Sequence, residues 1–297
     1  MKINRSLLGY SFVFIAIFAF IFLMRGTVTD QQVTAKMGDM NNMFGILFTA
    51  LGVIATLSTG VFAGTVLFFM PKLESKKKDI IFRLIGAGAV ILFTVFELIE
   101  TVKYVRFPIM QKDAGANKAL IITLVLIINL VIVMFTRFGF KKRFDLTNLI
   151  PTCIVIILII IIYATCTEFS KYFVSRPRPR IVDEGVIAFR NWYEWRPFLA
   201  FKSEYHDCKS FVSGHTSNAA CMISLLPSAM SLNKKKPSNA VQLVAIICGA
   251  LYTFVVAFSR IIAKAHYLTD VMAGIILSII VQAIIIAVAD RIVKKHA

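Results

Sequence analysis

The sequence predicts an all-α fold: a polytopic membrane helix bundle of about eight transmembrane helices. Of its 297 residues, 58% are hydrophobic and only 16% are charged, whereas a soluble domain is nearer half apolar and about a quarter charged. The charged residues also fall in short groups between long apolar runs, and about 20 apolar residues are enough to cross the hydrocarbon core of a bilayer. Lipid is therefore expected to surround most of this chain.

Eight apolar segments are long enough to span a membrane. They are residues 7–24, 43–69, 80–98, 119–136, 149–169, 212–232, 240–258 and 268–290. The first follows Lys2 and Arg5, as the apolar region of a secretory signal would, but it is longer than such a region usually is. No small-residue cleavage site follows it directly, so we expect a retained first helix.

Eight crossings place both termini on one side of the membrane. That side also receives the basic segments 71–79, 137–145 and 233–238, which marks it as cytoplasmic by the positive-inside rule. The opposite side carries nearly as much positive charge, most of it in the long loop 170–211. The rule therefore decides the orientation only if these outer cations have another task. The prediction is a multi-pass protein of the plasma membrane with that loop outside.

The net charge of +17 has two readings. A basic soluble protein would suggest nucleic-acid binding, but here the cations flank apolar segments, so we expect membrane lipids rather than nucleic acid as partners. The five cysteines lack zinc-like spacing. Cys208 could pair with Cys166 near the outer surface, although five free thiols are the preferred interpretation.

Three stretches on the predicted outer side contain residue types that suit phosphate chemistry. In the third of these, His266 and Asp270 are four residues apart and share one face of a helix. A carboxylate in that position can accept from one imidazole nitrogen and leave the other nitrogen free as a nucleophile. A lone histidine near a helix start is usually a packed residue, but Arg260 upstream and Asp270 one turn on argue against that reading.

The second stretch, Ser213-Gly214-His215, opens the sixth predicted span. A helix N-terminus presents free N–H groups to an anion, and glycine lets the backbone approach it closely. His215 could donate a proton to a leaving oxygen. The competing interpretation is a simple serine cap, which is common before a helix.

The first stretch runs from Lys171 to Pro179 and includes Arg176 and Arg178. Each proline restricts its own φ and the residue before it, so this segment is stiff and basic. Such a segment suits a multivalent anion, because Arg can contact two phosphate oxygens at once. Anchoring to anionic lipid headgroups is the alternative.

Together the three stretches resemble the signature motifs of the type-2 phosphatidic acid phosphatase and haloperoxidase superfamily. The motifs are Lys-x6-Arg-Pro, Pro-Ser-Gly-His and Ser-Arg-x5-His-x3-Asp. The matching residues are Lys171, Arg178 and Pro179 in the first motif, Ser213, Gly214 and His215 in the second, and Ser259, Arg260, His266 and Asp270 in the third. One position departs, since Val212 stands where the family usually has proline.

The resemblance implies a metal-independent, acid-phosphatase-type hydrolase without a cofactor. His266 would attack phosphorus and form a phosphohistidine, Asp270 would orient it, and His215 would protonate the leaving group. The residues that would bind the phosphate are Lys171, Arg178, Ser213, Gly214 and Arg260. The implied domains are two added N-terminal helices, 1–79, and a six-helix phosphatase core, 80–297, with the extracytoplasmic loop 170–211.

A phosphorylated lipid is the expected substrate, as a phosphate monoester or a diphosphate. Two alternatives stay within the family: phosphate transfer, and hydrolysis of a soluble phosphate ester. A transporter or a non-catalytic membrane binding protein is the alternative from another class, and the scarcity of mid-span charges counts against transport. Glu97, Glu100 and Glu168 are expected to reach the membrane interface and are not assigned to the site. The aromatic and basic segment 186–201 is interpreted as an interfacial anchor.

Overall fold

The structure is a computed structural model that describes residues 3–70, 73–102, 114–143, 146–233 and 235–295. Within these ranges every regular element is a helix, so the predicted all-α class is confirmed. The helices are α1 (Arg5–Met37), α2 (Met43–Leu51), α3 (Ile54–Phe69), α4 (Lys76–Val102), α5 (Ala114–Arg143), α6 (Leu146–Val174), α7 (Pro179–Asp183), α8 (Gly214–Ala220), α9 (Met222–Met230), α10 (Asn239–Ile262) and α11 (Leu268–Lys295).

Seven segments of the described chain are long and apolar enough to cross a membrane by length and composition. They are Arg5–Met37, Met43–Phe69, Lys76–Val102, Lys118–Gly139, Leu149–Asp183, Asn239–Ile262 and Leu268–Ile292. Each overlaps one of the predicted spans, and the second combines α2 and α3. The polytopic bundle predicted from the sequence is therefore confirmed.

The predicted span at 212–232 is not a single lipid-facing helix. It consists of α8 and α9, which meet at Cys221, where the backbone N–H donates to the Asn218 carbonyl three residues back at 3.1 Å. The side chains of α8 from His215 to Ala220 are buried. Protein rather than lipid surrounds this segment, and the side chains of Thr216, Ser217 and Asn218 hydrogen-bond inside the bundle.

Contacts between the helix ends show which way each segment runs. Arg5 at the start of α1 forms an ion pair with Asp290 near the end of α11, and Asn4 donates from its side chain to Asn239 at the start of α10. At the other end of the bundle, Ser213 donates its backbone N–H to the Asp270 carbonyl at 3.0 Å. The pair α8–α9 thus carries the chain from one end of the bundle to the other.

Close backbone approach and a buried polar contact join the helices on one side of the bundle. A Cβ atom on Gly86 of α4 would lie 2.6 Å from the Gly64 carbonyl of α3, so only glycine permits this spacing. Glu97 of α4 accepts from Ser58 of α3 at 2.9 Å and from Asn129 of α5 at 3.0 Å. Glu97 is fully buried, so the expectation that it reaches the membrane interface is wrong: its hydrogen-bond partners lie inside the bundle.

Candidate active site

Lys171 and Gly214 bring the first and second motifs together. Lys171 occupies the last turn of α6, where its ammonium group forms an ion pair with Glu168. The same nitrogen lies so close to α8 that a Cβ atom on Gly214 would be 3.0 Å from it. The motif glycine therefore leaves room for the lysine ammonium group at the start of the helix, a point that the sequence pattern alone does not show.

Two arginines enter the site from different elements. Arg178 has extended backbone angles and precedes α7, which begins with Pro179, a favoured first helical residue. Arg260 lies in the last turn of α10 and is only 1% exposed. Its guanidinium group donates to the hydroxyl of Thr49 on α2. A helix near the N-terminus thus helps to fix a cation of the third motif.

His266 lies in the connection between α10 and α11, and its Nδ1 is 2.7 Å from the Ser210 carbonyl oxygen. A carbonyl oxygen can only accept, so Nδ1 carries the proton and Nε2 keeps a free lone pair. The pKa of His266 is held well below its usual value, first by burial and then by repulsion from Arg178, Arg260 and Lys171. The imidazole is therefore neutral near pH 7, which is the form that can act as a nucleophile.

The expected hydrogen bond from His266 to Asp270 is absent, because Nδ1 is 3.9 Å from the nearer carboxylate oxygen. Asp270 instead accepts from the Ser210 hydroxyl at 2.5 Å and from the Tyr267 N–H at 2.8 Å. Its other oxygen accepts from Arg176 at 2.6 Å. The nearest acceptor to the imidazole is the Ser210 carbonyl. Asp270 therefore contacts His266 only indirectly, through Ser210.

The second motif forms the first turn of α8. The Ser213 hydroxyl accepts from the Thr216 N–H at 3.5 Å and from the Thr216 hydroxyl at 3.0 Å. It therefore acts as a helix cap, the alternative left open by the sequence, and its own proton is still available to donate. Val212, at the position where proline is usual, is buried, and the peptide bond between Phe211 and Val212 is cis. His215 is buried on the first turn of α8.

One cavity of about 860 Å³ brings most of these side chains together. Six of the eight predicted site residues line it: Lys171, Arg178, Gly214, His215, Arg260 and His266. The other two, Ser213 and Asp270, are buried behind its wall. Two imidazoles and three cations of the motifs therefore face one space, an arrangement that can bind a phosphoryl group, attack it and stabilise the charge that develops on it.

The same cavity extends along the bundle between α3, α4 and α6. This part of the wall is apolar and is formed by Val53, Leu57, Leu92, Phe93, Phe96, Ile160, Ile161 and Ala164. We call these eight residues the apolar arm. The cavity is thus cationic at one end and hydrocarbon-like at the other.

Sequence reasoning missed several residues of the site. Glu100 and Glu168, expected at the membrane interface, line the cavity. Arg176 was interpreted only as one of the outer cations, but it is 1% exposed and lies behind the cavity wall, bonded to Asp270 and to Asp30 of α1. The position of Arg176 two residues before Arg178 could have indicated a role in the site. Nothing in the sequence pointed to such a role for Asp30.

All five cysteines lie within the described ranges, and each is a free thiol. The preferred interpretation of free thiols is confirmed, and the alternative pairing of Cys208 with Cys166 is absent. Cys208 itself is fully buried, and burial raises the pKa of its thiol.

The comparisons with known proteins agree with the motifs. Residues 151–294 match the family model of the PAP2 superfamily, a range that begins within α6 and includes all three motifs. No curated protein and no solved structure matches the chain. On the strength of this match and of the three motifs, the chain belongs to the PAP2 superfamily, the type-2 phosphatidic acid phosphatase superfamily.

Proposed function

We propose that this protein is a membrane phosphatase that hydrolyses a lipid phosphate monoester or diphosphate through a phosphohistidine intermediate. Membership of the superfamily supports phosphatase or phosphotransferase activity on phosphate esters. The lipid substrate and the covalent step are proposals about this chain. The observation that carries them is a single cavity in which His266, His215 and three cations lie at one end and the apolar arm at the other.

In the proposed first step, the Nε2 lone pair of His266 attacks phosphorus while the bond from phosphorus to the leaving oxygen breaks. His215, protonated while the negatively charged phosphoryl group is bound beside it, gives a proton to that oxygen, so the alcohol or the shorter phosphate leaves without an unstabilised charge. In the second step water attacks phosphorus, His215 takes its proton, and the phosphorus–nitrogen bond breaks. Inorganic phosphate leaves and both imidazoles return to their starting states.

Lys171, Arg178 and Arg260 are proposed to bind the phosphoryl oxygens. Fixed donors are effective in a site with little water, because they need no reorganisation as charge develops in the transition state. Gly214 and Ser213 add the start of α8, where backbone N–H groups attract anions. Asp270 is proposed as a positioning residue, since it contacts Ser210 and Arg176 rather than the imidazole.

The apolar arm supports a lipid rather than a soluble ester. A soluble substrate would gain little from an apolar surface, whereas each methylene of a lipid chain buried there contributes about 0.8 kcal/mol. A cationic end and an apolar end within one cavity match an amphiphile whose headgroup carries the phosphate. The alternative of a non-catalytic binding protein is disfavoured because it gives no role to a neutral imidazole with a free Nε2.

We further propose that the protein lies in the plasma membrane with both termini in the cytoplasm and the site on the outer face. The basic segments at the terminal end of the bundle support this orientation. The positive charge on the predicted outer side does not contradict this orientation, because the cations at the cavity are assigned to phosphate binding.

The orientation is tested with an impermeant thiol reagent on intact cells. Native Cys208 is unsuitable because it is buried, so Glu204→Cys and Ser75→Cys are made at exposed positions in a Cys248→Ser background. Glu204→Cys is expected to be labelled in intact cells and Ser75→Cys only after lysis. The reverse pattern would place the site in the cytoplasm.

The covalent step is tested by trapping with ³²P-labelled substrate. His266→Ala is expected to lower phosphate release by on the order of 10⁴-fold or more and to give no labelled protein. His215→Ala with a substrate whose leaving group needs no protonation is expected to accumulate acid-labile phosphoprotein, because the base for the second step is missing. Turnover by His266→Ala at the wild-type rate would disprove the nucleophile assignment.

The electrostatic origin of the neutral nucleophile is tested by pH profiles of kcat/KM. Protonated His266 cannot attack, so activity is lost as pH falls through its pKa, which burial and the nearby cations hold below the usual value of a histidine. Arg178→Gln removes a positive charge and should raise that pKa, moving the acid limb to higher pH.

Arg180→Gln is the matched control, because Arg180 is partly exposed, pairs with Asp207 and does not line the cavity. The same substrate titrates in every profile, so a difference between variants reports the enzyme. An acid limb that stays in place in Arg178→Gln, or that moves equally in both variants, would contradict the assignment.

The apolar arm is tested by filling it. Ala164→Trp should lower kcat/KM for a long-chain lipid phosphate by about tenfold, the equivalent of about two buried methylenes, and leave a short soluble phosphate ester nearly unaffected. Leu158→Trp, on the same helix but 40% exposed and outside the cavity, is the control. Equal losses on both substrates would argue against a chain-binding role.

A further inference from the structure

Arg176 lies at the centre of a buried ion network that joins three parts of the chain. Its Nη1 donates to Asp270 at 2.6 Å and to the Thr269 hydroxyl at 2.7 Å, and its Nη2 donates to Asp30 at 2.9 Å. The guanidinium carbon also lies 4.3 Å from the centre of the Tyr267 ring. The side chains of Arg176, Asp30 and Asp270 are all at most 1% exposed.

Asp30 makes two kinds of contact in this network. It accepts from Arg176, which lies within the first motif, and it also accepts from the Thr269 N–H at 3.0 Å and from the Thr269 hydroxyl. Thr269 immediately precedes Asp270 of the third motif. One carboxylate of α1 therefore holds two distant stretches of the site in one place.

The network leads to the nucleophile through a short series of contacts. Arg176 holds Asp270, Asp270 holds the Ser210 hydroxyl, and the Ser210 carbonyl accepts from His266 Nδ1 at 2.7 Å. Asp30 is the second carboxylate on Arg176. Without it, one side of a buried guanidinium would lose its charged partner, an arrangement that is strongly unfavourable and tends to rearrange.

We propose that Asp30 is a positioning residue for the phosphatase site, and that the first transmembrane helix is thereby part of the catalytic apparatus. This inference rests on the proposed function. It goes beyond the family relationship, because α1 lies outside the matched residues 151–294. It gives the first N-terminal helix a role that the motifs do not assign.

The approach of α1 to the site depends on Gly26, one turn before Asp30. A Cβ atom there would lie 2.9 Å from the Thr269 methyl group, 3.2 Å from the Asp30 carboxylate and 3.3 Å from the Thr269 nitrogen. Thr269 is held by its own hydrogen bonds and cannot move away without disturbing them. Gly9 of the same helix has nothing within 4 Å of such an atom.

The first test compares Asp30→Asn with Asp290→Asn in the purified full-length protein. Asp290 pairs with Arg5 and so joins the same two helices at the far end from the site. Displacing catalytic groups by about 1 Å can cost about 100-fold, so Asp30→Asn should lower kcat by about 10- to 100-fold with little change in KM. Asp290→Asn should keep the wild-type kcat.

Two inhibitors separate positioning from binding. Orthovanadate can accept a fifth ligand and imitate the transition state of attack by His266, whereas inorganic phosphate needs only the cations. Asp30→Asn is expected to weaken inhibition by vanadate by about tenfold or more and inhibition by phosphate by much less. A purely structural role would weaken both equally.

The second test changes no polar group. Gly26→Ala should lower kcat several-fold because the added methyl separates α1 from Thr269, while Gly9→Ala should leave it unchanged. Both substitutions alter intrinsic helix propensity in the same direction. This pair also decides the question if Asp30→Asn fails to fold.

The outcomes separate this inference from the proposed function. Wild-type kcat in Asp30→Asn and in Gly26→Ala, with an inactive His266→Ala, would overturn the role of Asp30 and leave the phosphatase intact. Equal losses in Asp30→Asn and Asp290→Asn, in step with equal losses of thermal stability, would also overturn it. Absence of phosphate release by the wild-type protein from every lipid and soluble phosphate ester tried would instead remove the proposed function.

Discussion

A buried arginine between two carboxylates is the constraint on which the rest of the site depends. Arg176 cannot be solvated, so its charge has to be met by Asp30 and Asp270 and its face by the Tyr267 ring. The two ion pairs and the ring contact fix the chain just after α6, the C-terminal third of α1 and the start of α11 relative to one another. Lys171 lies in the last turn of α6, and the loop that Asp270 holds through Ser210 contacts His266.

The position of this network also explains how a reactive imidazole stays neutral among cations. Asp270, the carboxylate nearest to His266, is engaged by Arg176, Ser210 and the Tyr267 N–H rather than by the imidazole. Burial is the first cause that lowers the pKa of His266, and repulsion from the cations in the cavity wall lowers it further. The same cations that would bind a phosphate thus add to the effect of burial in keeping its proposed attacker neutral.

Much of the fold and of the cavity wall could be predicted from the sequence. Apolar runs of membrane length predict spans whatever they pack against, and motif spacing identified the six residues that share the cavity. The break at Cys221 was not predictable, because the apolar content of 212–232 does not show that protein surrounds it. The partner of His266 was also missed: His-x3-Asp spacing places a carboxylate nearby, but a backbone carbonyl from residue 210 lies closer. Asp30 could not be found at all, since its role exists only once α1 packs against Thr269.

The central claim is that an imidazole of the loop before α11 attacks a phosphoryl group held by the cations of the other motifs. It is tested most directly by determining an experimental structure of the protein with orthovanadate bound. The account predicts a vanadium atom bonded to Nε2 of His266, with its oxygens within hydrogen-bond distance of Lys171, Arg178 and Arg260. An anion bonded to His215 instead, or bound away from both histidines, would contradict it.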